Sequence, residues 1–94
     1  MNEPDLQHVA KRVVWFKSPD DALTNVRLFL AHLMTYGTLT DITTTLKYFS
    51  EDDFKAVLDD PPPGVFDRRS WVFWNVRYHR DPVPSLPSRK LPVA

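Results

Sequence analysis

Cysteine is absent from this 94-residue chain, which excludes a disulfide-stapled secreted scaffold and a thiolate zinc module. Glycine is scarce too, and the two present, Gly37 and Gly64, belong to no phosphate-cradling loop. Neither sign of charge is in excess, because 12 Lys and Arg balance 12 Asp and Glu. A neutral total gives no support to tight, non-specific nucleic-acid binding. No apolar run approaches the roughly 18 residues of a membrane span, and Met1-Asn2-Glu3-Pro4-Asp5 lacks a basic-then-apolar signal pattern. A cytoplasmic protein of bacterial type, without membrane association, is the expectation. What is present is an ordinary globular composition, 43% hydrophobic, 26% charged and 13% aromatic, which argues against disorder throughout. The length allows one small domain. A domain of this size buries about 60–65% of its unfolded surface, so its stability is modest and easily helped by a partner.

The neutral total is a sum of unequal parts. Residues 38–60 hold Asp41, Glu51, Asp52, Asp53, Asp59 and Asp60 against Lys47 and Lys55, a net charge of −4. Residues 61–94 hold Arg68, Arg69, Arg77, Arg80, Arg89 and Lys90 against Asp67 and Asp81, a net charge of +4. The two segments can pair with each other or face a charged partner.

Helix punctuation is legible along most of the chain. Pro4 to Phe16 carries Leu6, Val9, Val13 and Phe16 at helical spacing, although Val13-Val14-Trp15-Phe16 also suits an extended piece. Ser18-Pro19-Asp20-Asp21 supplies a capping serine, a proline at the first helical position and early acids. Asn25 caps the next segment, Val26 to Tyr36, whose narrow polar stripe of Arg27, His32 and Thr35 marks the central, mostly buried helix. Gly37 stands where a left-handed closing residue is wanted. Thr38-Leu39-Thr40-Asp41 and Ser50-Glu51-Asp52-Asp53 each combine a cap with an acid three residues on. Leu39, Ile42, Leu46 and Phe49 form the apolar stripe after the first of these, and Phe54, Val57 and Leu58 the buried stripe after the second. Thr43-Thr44-Thr45 is a poor helix former that tertiary packing must override. Asp59-Asp60-Pro61-Pro62-Pro63-Gly64 ends the run. Asp67 caps a last segment in which Trp71, Trp74 and Tyr78 share one helical face. Val72, Trp74, Val76 and Tyr78 also alternate as a strand would; the aspartate cap and the lack of a partner strand favour helix. From Asp81 to Ala94 four prolines with Val83, Leu86, Leu91 and Val93 make an arm that cannot fold alone.

Groups that could converge on chemistry are few. His8, His32 and His79 lie on three different segments and read as surface or boundary residues, with His32 on the central helix expected to make a simple hydrogen bond. Consecutive acids at 51–53 point about 100° apart on a helix and cannot meet at one ion. No catalytic residue, metal site or cofactor is expected. Residues 38–60 have the outline of a helix-turn-helix, but the second helix opens Glu51-Asp52-Asp53, repulsive to a polyanion. A small DNA-binding regulator is therefore the alternative function. Association with protein is the leading one. Trp71 and Trp74, a turn apart and flanked by arginines, are either core or the residue type that dominates interfaces.

The stretch Phe29-Leu30-Ala31-His32-Leu33-Met34-Thr35-Tyr36-Gly37, then Asp41 with Ile42, Tyr48-Phe49-Ser50, Phe54, Leu58 and Arg69-Ser70-Trp71-Val72-Phe73-Trp74, resembles a family of small uncharacterised bacterial helical domains. Members of that family are often encoded beside AbiEii-type nucleotidyltransferase toxins, so the resemblance implies an antitoxin role by steric block. It spans about residues 25–78. The Pro-rich 81–94 arm and the three-proline linker depart from the pattern.

The expectation is thus an all-α, compact single domain over residues 1–80, built of four to five short helices, with a proline-rich extended arm over 81–94. Its expected function is non-enzymatic binding of a protein partner, a cognate toxin above all. The expected contact residues are Arg68, Arg69, Trp71, Trp74, Arg77, Arg89 and Lys90.

Overall fold

The side-chain caps read from the sequence all form. In the computed structural model, which describes residues 3–86, Ser18 Oγ accepts from the Asp21 N–H, Asn25 Oδ1 from Leu28 and Asp67 Oδ1 from Ser70. Thr38 with Asp41, and Ser50 with Asp53, close reciprocal capping boxes. Among the described residues these caps and the Pro4 start delimit six α-helices: α1 (Pro4–Val13), α2 (Pro19–Thr24), α3 (Val26–Tyr36), α4 (Leu39–Thr45), α5 (Glu51–Asp59) and α6 (Arg68–Arg77). The count exceeds the four to five expected because both segments that also suited an extended reading, the first and the last, are helical; α2 and α3 are separate, as the Asn25 cap implied, the Asn25 backbone leaving helical geometry to let its side chain cap. Residues 68–77 are helix, not strand, and no strand occurs among the described residues. No helix there is long and apolar enough to cross a membrane.

α3 is the hub and touches each of the other five helices. Its Phe29, Leu30, Ala31 and Leu33 are fully or almost fully buried, joined in the core by Leu6, Val13 and Val14 from the α1 side, Phe54 from α5 and Trp71 and Trp74 from α6. His32 is buried, donates its Nδ1–H to the Leu28 carbonyl at 2.9 Å, and lies among the rings of Phe16 and Tyr36. The expected hydrogen-bonding role suffices for it.

Gly37 differs from expectation. Its φ of −73° and ψ of 153° are extended, not left-handed. The glycine is required by space: a Cβ there would sit 2.6 Å from the Leu33 carbonyl oxygen. The left-handed helix end falls instead at His79, with φ 60°. Its N–H bonds to Val76 O at 3.0 Å while Arg80 N–H reaches back to Asn75 O at 2.9 Å, the paired closure of a Schellman motif.

The arm starts against the domain. Trp71 Nε1 donates to Pro84 O at 2.8 Å, and Val83 and Leu86 pack on the core. Arg89, Lys90, Leu91 and Val93 lie outside the described residues.

Candidate protein-docking surface

The two charged segments pair in part with each other. Arg80 bonds to Asp59 and to the Lys55 carbonyl, and Arg77 lies 3.8 Å from Glu51. The Arg80 guanidinium holds the Asp59 carboxyl below its ordinary value. Arg27 of α3 pairs with Asp60 at 2.7 Å. Neither Arg68 nor Arg69 makes an ion pair among the described residues, and both are exposed. They occupy the first turn of α6, where the helix dipole disfavours cations and where that helix carries no acid. Asp67 is committed to the cap, and its bonds to Ser70 keep its carboxyl below the ordinary value.

Of the contact residues read from the sequence, α6 thus presents Arg68, Arg69 and Arg77 outward. Trp71 and Trp74, exposed by only 2% and 3%, are core side chains. Helix phase turns both inward: Trp74 Nε1 donates to Met34 O of α3 at 2.8 Å and its ring lies 5.7 Å from that of Phe54 of α5, while Trp71 packs on Phe66 with ring centroids 5.4 Å apart. The outward face therefore carries Val72, Phe73 and Val76 between the arginines, with Phe73 56% and Val76 59% exposed. Sequence reading missed these three because α6 is apolar on both faces, and the pattern alone does not say which set turns inward.

A groove of about 390 Å³ runs beside Phe73, lined among others by Thr35, Gly37, Ile42 and Trp74 and, on its charged side, by both Asp67 and Arg69. Its α4 wall comes from a helix packed with its polar side inward. Asp41 and Thr45 are buried, whereas Leu39 is 79% exposed and Ile42 and Leu46 are partly so. The Arg12 guanidinium from α1 bonds to Asp41 and turns this face in. Burial opposes the Asp41 charge, but Arg12 and the Thr38 N–H and hydroxyl outweigh it and hold the carboxyl below its ordinary value. Thr45 Oγ1 is satisfied at 2.8 Å by the Asp41 carbonyl.

Among the described residues no group of three or more His, Asp or Glu is arranged to hold a metal ion. The chain matches no protein-family model, and no curated protein or solved structure matches it.

Proposed function

We propose that this protein is a non-enzymatic protein-binding module that holds an acidic partner against the outward face of α6. The observation that carries the reading is the exposure of Val72, Phe73 and Val76 between unpaired Arg68 and Arg69 at one end and Arg77 at the other. Apolar side chains ringed by cations lose water favourably only against a surface that is itself apolar and acidic. A second copy is a poor occupant, since antiparallel pairing of two α6 faces would set Arg68 and Arg69 against the Arg77 of the other copy. The family resemblance nominates a nucleotidyltransferase-type toxin, whose metal-binding carboxylates make its active site acidic, with inhibition by steric block. The DNA-binding alternative gains nothing from the geometry, because Glu51, Asp52 and Asp53 stand exposed at the head of α5.

Co-expression with the neighbouring gene's product, followed by size-exclusion chromatography, tests the reading. One stable complex is expected, weakened at least roughly tenfold by Val76→Glu or Arg69→Glu, as expected when a contact's charge is reversed. Both residues are exposed, so the fold should survive either change. Separate elution of the two proteins would overturn the reading.

A further inference from the structure

We propose that the groove between α4 and α6 receives a single amphipathic helix of the acidic partner, its apolar stripe seated between Ile42 and Phe73 and a carboxylate on Arg69. The inference rests on the protein-binding reading and narrows it to one place and one shape.

Three features of the groove point to a helix. First, α4 shows water the face that an isolated amphipathic helix would hide. Leu39 and Ile42 stand three residues apart, on one side of the helix, and Ile42 forms the groove wall opposite Phe73. Second, five donors around the groove are already committed. Trp74 Nε1 goes to Met34 O, Gly37 N to Leu33 O, Thr35 Oγ1 to Ala31 O, Thr38 N to Asp41 Oδ2 and Ser70 N to Asp67 Oδ1. An extended peptide needs backbone partners along its length, and no sheet edge occurs among the described residues to supply them. A helix satisfies its own backbone and asks the groove only for apolar contact. Third, Arg69 lines the groove with no ion pair within 4 Å; Asp67 lines it too, but its carboxylate is committed to capping α6 through Ser70 and meets Arg69 only at longer range. A carboxylate on the incoming helix answers Arg69.

A second folded copy has no such helix to offer. Its acidic helix, α5, buries Phe54, Val57 and Leu58 and so has no free apolar stripe beside its acids.

The test uses the full chain, 15N-labelled, and two synthetic peptides. Each is about 18 residues long, enough for partial helicity in water, with Leu on one face; one carries Glu on the flanks and the other Lys. The Glu peptide is expected to shift the amides of Thr35, Gly37, Ile42, Ser70 and Phe73, and to bind at least roughly tenfold tighter than the Lys peptide. Arg69→Glu should reverse that preference, an effect that a purely structural arginine would not produce. Phe73→Asp should weaken the Glu peptide while the protein stays folded, since this side chain lines the groove and is 56% exposed. Absence of shifts, shifts that avoid the groove, or equal affinity for both peptides would each overturn the proposal. The two readings also fail separately. A toxin complex that tolerates Phe73→Asp and Ile42→Asp removes the groove and keeps the module, whereas a seated Glu peptide with no toxin complex keeps the groove and removes the toxin.

Discussion

Two residues invert the usual meaning of a helix end. Gly37 follows α3 where a left-handed glycine is the ordinary expectation, yet its backbone is extended and its missing side chain makes room for the Leu33 carbonyl. Gly37→Ala should therefore cost about 1–3 kcal/mol through overpacking, read as a lower denaturation midpoint at unchanged slope. His79, by contrast, holds the left-handed position that closes α6. His79→Gly should raise stability by about 0.5–1 kcal/mol, the relief of Cβ strain less the added freedom of the unfolded glycine. Equal or lower stability would show that the histidine side chain does more than tolerate the turn. Neither assignment was legible from the sequence. A cap such as Ser18 to Asp21 spans three residues and is written locally, whereas the identity of a closing residue depends on which turn the tertiary packing tightens.

The same distinction governs the elements. Every N-cap proposed for α2 to α6 was readable, and so were the central position of α3 and the acidic head of α5, because periodicity and capping are properties of adjacent residues. The orientation of α4 was not. It is set by Arg12, 29 positions before Asp41, and so the Leu39, Ile42, Leu46 stripe reads as core until α1 is in place. Stability should follow the buried polar face. Asp41→Asn is expected to cost about 1–3 kcal/mol, as loss of a charge-assisted bond does, while Leu39→Ser should stay within about 0.5 kcal/mol of the parent. The Asp41 carboxyl titrates lower folded than unfolded, so the folded state releases its proton more readily and stability rises with pH through that titration. The contribution is complete above about pH 4, the ordinary aspartate value, and is lost as pH falls through the lower folded one. Melting temperatures from pH 7 to pH 2.5 should fall less steeply for Asp41→Asn; parallel curves would remove this ion pair from the acid response. On α6, the cationic row was legible and the apolar outward face was not, since Trp71 with Trp74 and Val72 with Val76 are equally helical in spacing and only tertiary packing chooses between them.

At the scale of the whole molecule, the first part of the proline-rich arm lies on the domain, as an extended arm can. Trp71 gives its indole N–H to Pro84, and Val83 and Leu86 lie on the core. A chain ending at Arg80 would expose Trp71 and lose about 1–3 kcal/mol, the range for a lost buried hydrogen bond with its packing, read as a lower melting temperature. The segmental charge split was legible as arithmetic, while its partial closure through Arg80 and Asp59 required the three-proline turn that brings α6 back to α5. The position of α3 has a consequence for time as well as for shape. Because it touches all five other helices, no local opening can free it and leave a core behind. The amides of Phe29, Leu30, Ala31 and Leu33 should exchange with solvent deuterium only when the entire molecule unfolds. Their exchange rate is then a clock for the global equilibrium, and a helix docked in the α4–α6 groove would slow that clock in proportion to its occupancy.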